Sequence, residues 1–279
     1  MSDAMKDLPE FEPGWVWLTG AGPGDPGLVT LLALKGLQQA DVVVYDALVG
    51  RAILDLARDG TRLEYAGKRG GKPSAKQADI SRTLVAYARE GLRVLRLKGG
   101  DPFIFGRGGE EALALVAAGV PFRIIPGISA GVGGLAYAGI PATHRDTNSA
   151  VTFLTGHEAG GEVTHSVDWA GIAKGSPVIV IYMALKHLGV ITEQLIAHGR
   201  SAREPVAIVS KATLPEQMVI ETTLAGAVAD AAASGIEPPS LVVVGQVVRL
   251  RGGLDWLGAL DGKVLVSDPL SGHKDREAG

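Results

Sequence analysis

The residues best suited to chemistry lie between Arg96 and Glu111. The run Arg96-Leu97-Lys98-Gly99-Gly100-Asp101-Pro102-Phe103-Ile104-Phe105-Gly106-Arg107-Gly108-Gly109-Glu110-Glu111 holds five glycines, two arginines and two phenylalanines. An ordinary strand-to-helix connection accounts for one glycine pair, not for five glycines. Gly99 and Gly100 lack a Cβ, so backbone N–H and C=O groups there can touch a ligand directly, and Pro102 fixes where the turn ends. A second glycine cluster, Gly22-x-Gly24-x-x-Gly27, formally satisfies the dinucleotide fingerprint, with Asp46 about twenty residues on. Two prolines argue against that reading. Pro23 and Pro26 disfavour helix at Gly22 and Asp25, so helix can start only at Pro26 with Asp25 as its N-cap. A carboxylate then sits where a pyrophosphate needs bare N–H groups. Asp101 repeats the arrangement, and no Gly-Lys-Ser/Thr follows any glycine cluster. The two turns therefore suit a neutral or cationic ligand better than a phosphate.

The elements that must carry these loops are legible as apolar, β-branched runs bounded by Gly, Pro and Asp. The pattern predicts strands at Trp15–Gly20, Val42–Tyr45, Leu63–Ala66, Val94–Leu97 and Pro121–Ile125. Helical spacing predicts intervening helices from Pro26 to Leu37, around Ile80, Leu84, Val85 and Tyr87, and over Glu111–Ala118. Five strand-helix alternations imply a parallel α/β sheet, with ligands beyond the carboxyl ends of its strands, where every glycine-rich loop falls. The segment Ala138–Asp146 breaks the pattern and is read as a domain link, giving an N-terminal α/β domain over 13–143 and a C-terminal one over 147–260. In the second, strands are predicted at Ala150–Thr155, Val178–Tyr182, Val206–Val209 and Leu241–Val244, with helices at Leu185–Ala197 and Thr222–Ala233. Residues 1–12 and 263–279 are read as disordered tails.

Composition narrows the chemistry. A chain of 279 residues, 46% hydrophobic and 20% charged, is long enough for two cores. It has no apolar run of the roughly 18 residues that a membrane helix needs. The acidic N-terminus lacks the cationic-then-apolar order of a signal peptide, so a cytoplasmic protein without a membrane partner is expected. With no cysteine, disulfides, thiolate nucleophiles and cysteine-bound metals are excluded, and the six histidines show no ligand spacing, so no metal is expected. Net charge is −3, yet residues 62 to 107 hold eleven Lys or Arg against four Asp or Glu. Little aromatic interleaving accompanies that excess, which favours a small polyanion over nucleic acid.

The segments Thr19–Leu28, Val44–Asp46, Gly67–Arg69, Arg96–Glu111, Pro126–Ala130 and Gly139–Arg145 together resemble the tetrapyrrole methylase family, in order, from about residue 14 to residue 258. The resemblance implies two α/β domains with the active site in a cleft between them, in a homodimer. The activity it implies is transfer of two methyl groups from S-adenosylmethionine to C-2 and C-7 of uroporphyrinogen III, giving precorrin-2, as in members without a dehydrogenase and chelatase module. By motif match, Pro23, Gly99, Gly100, Asp101, Ile104, Ser129, Ala130, Met183 and Ala212 would contact the cofactor. Ser129 and Ala212 stand where some relatives have Thr and Gly, and Met183 taken alone reads as a core methionine, so that only its position in the family pattern makes it a cofactor contact. A sulfonium and an ammonium on that cofactor agree with carboxylates at the turns.

The resemblance also assigns Asp46 as proton acceptor and Lys68 as proton donor. Residue type alone leaves Asp46 a turn cap and Lys68 a plain carboxylate binder. The substrate carries eight carboxylates, for which Arg107 and Arg145 are the chosen partners, because guanidinium pairs bidentately with carboxylate; either could be a surface ion pair instead. The competing readings are a sister methylase acting later in the corrin pathway, a class-mate acting on RNA or protein, a dinucleotide-dependent oxidoreductase, and a non-catalytic corrin binder. Titration with NAD(P) against S-adenosylmethionine separates the oxidoreductase from the rest.

Overall fold

The computed structural model describes residues 7–67, 77–156 and 167–271. Its chain divides into two compact units, Met1–Ser129 and Ala130–Gly279. In the first, β1 (Val16–Gly20) leads to one 3₁₀ turn (Pro26–Leu28), then α1 (Leu31–Gln39), β2 (Val42–Tyr45), α2 (Arg51–Leu54) and β3 (Arg62–Tyr65). There follow α3 (Gln77–Arg89), β4 (Val94–Lys98), α4 (Gly108–Ala117) and β5 (Phe122–Ile125). All strand pairs are parallel, in the order β3-β2-β4-β1-β5. Both faces of this sheet are covered, which is why its strands read as continuous apolar runs. Trp17, Val43, Leu95 and Leu97 pack on α1 and α2, whereas Val16, Leu18, Val44 and Val94 pack on Leu84 of α3 and Leu115 of α4.

The helices that follow the neighbouring strands β1 and β4 thus lie on opposite faces of the sheet. Adjacent strands whose helices depart to opposite sides leave a crevice at their carboxyl ends, the usual ligand position in such sheets. The entry to α1 differs from the sequence expectation. Asp25 caps only the 3₁₀ turn, its Oδ1 accepting from Gly27 N at 2.7 Å. Val29 is extended, and the α-helix restarts with Thr30 as N-cap, accepting from Ala33 N at 3.1 Å.

The second unit runs α5 (Ala130–Tyr137), β6 (Thr152–Thr155), α6 (Trp169–Gly175), β7 (Ile179–Tyr182), α7 (Leu188–Ala197) and β8 (Pro205–Ser210). It continues with β9 (Met218–Thr223), α8 (Ala227–Ser234), β10 (Ser240–Val244), α9 (Arg251–Leu254) and α10 (Trp256–Leu260). The sheet order is β6-β7-β10-β8-β9, and only β6 and β7 are parallel. Sequence reading missed α5, α6, β9 and the two short C-terminal helices. It also began α8 too early: Thr222 and Thr223 end β9, and the alanine run that follows blurred the boundary.

Three boundaries are corrected. Helix α5 belongs with the second unit and not with a first domain ending at 143, because Leu135, Ala138 and Ile140 are buried against Val178, Val180 and Val243. The segment 7–12 is docked: Phe11 stacks on Trp17 at 4.2 Å, and the buried Lys35 donates to Leu8 O at 2.7 Å and Glu10 at 2.6 Å. Residues 263–271 are also placed, with Val266 N donating to Gly252 O at 2.9 Å and Leu270 buried beside Val247 and Leu250.

Candidate active site

In the first unit, backbone holds the loops after β1, β4 and β5 together. Gly22 and Gly100 exchange hydrogen bonds, Gly100 N to Gly22 O at 2.7 Å and Gly22 N to Gly100 O at 3.2 Å. Both residues have positive φ, +77° and +68°, which glycine adopts freely. A Cβ on Gly127 would lie 2.3 Å from Gly100 O, and one on Gly20 would lie 2.5 Å from the same oxygen. Only bare backbone fits at this junction. Asp101 fastens it from the side: Oδ1 accepts from Phe103 N at 2.7 Å and Oδ2 from Gly127 N at 3.0 Å. Its carboxylate is therefore first a clamp between two loops, with lone pairs left for a cationic ligand group.

The structure thus brings Gly99, Gly100 and Asp101 into contact with the loops that carry Pro23 and Ser129. Ile104 is exposed on the same β4 loop, between Phe103 and Phe105, with Phe105 and Arg107 held at positive φ. Asp46 follows β2 and joins the group, its Oδ1 accepting from Leu48 N at 3.1 Å and Gly99 N at 3.4 Å. Lys68 lies outside the described residues.

Beneath Asp46 is a group of buried charges to which sequence reading gave no role. Arg96, Lys98 and Glu111 are all at most 4% exposed. Glu111 Oε1 accepts from Arg96 Nε at 3.0 Å, Lys98 Nζ at 3.2 Å and Gln77 Nε2 at 2.8 Å. Burial pushes the Lys98 ammonium below its ordinary pKa, and the neighbouring Arg96 adds to that push. The signal was present in Val94-Leu95-Arg96-Leu97-Lys98: alternate residues of a strand share a face, so two cations on one face of a covered strand require a buried anion.

The basic excess between residues 62 and 107 is largely neutralised where it is described. Arg62 pairs with Glu64, Arg82 with Asp79, Arg93 with Asp41 and Arg107 with Glu110. The Arg107 pair is bidentate, at 2.9 and 2.7 Å, and raises the arginine pKa while lowering that of Glu110.

In the second unit, α5 meets the ends of β7 and β8. Gly131 N donates to the Tyr182 hydroxyl at 2.8 Å, and a Cβ on Gly134 would fall 2.7 Å from Ala212 Cβ and 3.9 Å from Ala130 Cβ. Ala130 and Ala212 are therefore neighbours, beside the strand that ends at Tyr182 and Met183. Met183 is 43% exposed at φ +55°, and Lys211 and Thr213, flanking Ala212, also have positive φ. Such backbone costs about 1–3 kcal/mol per residue and gathers at ligand sites. Arg145 stands exposed on a loop clipped by Asn148, whose side chain accepts from His144 N at 3.1 Å and donates to Ala142 O and Ala150 O at 3.0 Å each. Among the described residues no hydrogen bond or ion pair holds the Arg145 side chain, in contrast to Arg107.

The tetrapyrrole (corrin/porphyrin) methylase signature matches residues 16–228, most of both units. The chain belongs to this family. As a tetrapyrrole methylase it is 66% identical over 271 residues to a uroporphyrinogen-III C-methyltransferase of Sinorhizobium sp, covering 97% of each chain. It is 51% identical over 254 residues to the siroheme synthase of Thiobacillus denitrificans, covering 90% of this chain and 53% of that protein, so it spans about half the length of that relative. Among solved structures, the uroporphyrin-III C-methyl transferase of Thermus thermophilus complexed with S-adenyl homocysteine aligns at TM-score 0.72 with 38% identity, over 84% of this chain and 99% of the other. A cobalt precorrin-4 methyltransferase aligns at TM-score 0.76 with 28% identity, over 87% and 99%. The two-unit α/β architecture is that of this methylase fold.

Proposed function

We propose that this methylase transfers two methyl groups from S-adenosylmethionine to C-2 and C-7 of uroporphyrinogen III, forming precorrin-2 for siroheme or cobalamin synthesis. The observation that carries this reading is 66% identity along 97% of both chains to an enzyme named for that reaction. The junction of Gly20, Gly100 and Gly127, which admits no side chain, and the Asp101 carboxylate fit a ligand that needs backbone contacts and a partner for an ammonium. When bound, the cofactor supplies an electrophilic methyl group on a sulfonium.

On this reading Pro23, Gly99, Gly100, Asp101, Ile104 and Ser129 in the first unit, and Ala130, Met183 and Ala212 in the second, hold the cofactor. Alignment at the reacting carbon is the largest task of such a site. Ring attack leaves one proton to be removed for each methyl group added, and Asp46 is its acceptor; a proton that Lys68 lends to another ring position returns to Lys68 before the product leaves, so that the net change is one proton lost. Arg145 binds a substrate carboxylate, and Arg107 does so by exchanging Glu110 for it. We further read the enzyme as a cytoplasmic homodimer without a metal; sedimentation tests the dimer, with a mass of twice the monomer as the expected result.

The deciding assay supplies uroporphyrinogen III and methyl-labelled S-adenosylmethionine and weighs the product. A gain of two labelled methyl groups is expected. Label transfer only to a later corrin intermediate would reassign the enzyme to the sister reaction.

A further inference from the structure

Four charged side chains meet under the carboxyl ends of β2 and β4, and three of them have no part in the reading above. Arg96 and Lys98 project from one face of β4 toward α3 and α4, where Glu111 receives both. Arg96 reaches back across the sheet: Nη1 donates to Val44 O and Leu97 O at 3.2 Å each, and Nη2 lies 3.9 Å from Asp46 Oδ2. Among the described residues Glu111 Oε2 has no hydrogen-bond partner, and Oε1 carries three donors.

Buried charges are costly unless they balance. Arg96 and Lys98 contribute two positive charges and Glu111 one negative charge, all on side chains no more than 5% exposed. The remaining positive charge faces Asp46, whose side chain is 27% exposed. Among the described residues, the charged groups facing Asp46 are Arg96 and Lys98 of β4 and, behind them, Glu111 of α4. The quartet is neutral when Asp46 is ionised and carries one positive charge when Asp46 holds a proton.

We propose that Lys98 and Glu111 are positioning residues for Asp46, acting with Arg96 to set the electrostatic balance in which Asp46 takes up and releases a proton. This rests on the reading of Asp46 as the proton acceptor. Glu111→Gln leaves two cations against Asp46 alone and makes it a weaker base. Lys98→Met leaves two carboxylates against Arg96 and makes Asp46 easier to protonate. The double variant restores one cation against one carboxylate.

The test is the pH dependence of the single-turnover methylation rate in the full-length enzyme, with S-adenosylmethionine affinity measured beside it. A nearby charge moves a carboxyl by about one pH unit or more. The acid limb should therefore move about one unit down in Glu111→Gln, about one unit up in Lys98→Met, and back to the wild-type position in the double variant, with cofactor affinity unchanged. If Glu111→Gln does not fold, Lys98→Met and the double variant decide the question alone. An acid limb that stays put in those variants, while Asp46→Asn is slow, overturns the proposal and leaves the role of Asp46 standing. Near-normal turnover by Asp46→Asn removes that role, and this inference with it.

Discussion

The ends of β2 and β4 in the first unit and the ends of β7 and β8 in the second face the same task by different means. The first rests on charge: a buried Arg96–Lys98–Glu111 group lies beneath Asp46, and carboxylate clamps tie its loops. The second rests on shape. Small residues of α5 pack on Tyr182 and Ala212, and Met183, Lys211 and Thr213 hold strained backbone. Its well-buried ion pairs lie elsewhere: Arg200–Glu204 at the opposite end of β8, just before Pro205, and Arg251–Asp255 along α9 beside the end of α5. Charge should therefore govern rate in the first unit, while shape and backbone govern cofactor affinity in the second.

The sharpest way to break that contrast is Asp46→Asn, which should slow methyl transfer about 10²–10⁴-fold while S-adenosylmethionine still binds. Calorimetry with single-turnover kinetics reads both quantities, and a loss of binding equal to the loss of rate would make Asp46 a cofactor ligand. Next in size, Arg145→Ala should raise the KM for the tetrapyrrole about tenfold or more, since one charge-assisted hydrogen bond contributes roughly 1.5–3 kcal/mol. Arg107→Ala should raise it less, because binding must first replace Glu110. Equal effects of the two substitutions would show that the Glu110 pair does not compete.

Smaller changes test the backbone. Gly127→Ala sets a Cβ against Gly100 O and should cost about 1–3 kcal/mol of stability, read as a lower denaturant midpoint, together with cofactor affinity. Met183→Gly should do the reverse for stability. It relieves backbone at φ +55°, a gain of about 1 kcal/mol, while weakening cofactor binding through the lost side chain. A variant both less stable and unchanged in affinity would place Met183 in the fold and not in the site.

What the sequence disclosed follows from the same contrast. Strands β1, β2, β4 and β5 were legible to within a residue or two because both faces of a parallel sheet are covered, which leaves apolar runs cut off by Gly, Pro and Asp. Gly22 and Gly100 were legible because their positive φ has a residue preference. The antiparallel strand β9 was not, since Met218 to Thr223 lies at the sheet edge, half covered, and runs into an alanine-rich helix. Nor was strain at Met183, for methionine carries no signal of left-handed backbone. The Arg96–Lys98–Glu111 group needed knowledge of which helix covers β4. The docked segment 7–12 is held by the Phe11–Trp17 stack and by hydrogen bonds with Lys35, Gln39 and Arg93, residues distant in sequence, and such contacts do not register in composition.

The reciprocal hydrogen bonds between Gly22 and Gly100 carry a thermodynamic consequence for whatever binds there. They join two loops far apart in sequence, so folding, and not ligand binding, bears the loss of backbone freedom, about 1–2 kcal/mol for each residue fixed. A ligand meeting these ends would find its contacts already aimed, and little of its interaction energy would be consumed in ordering them.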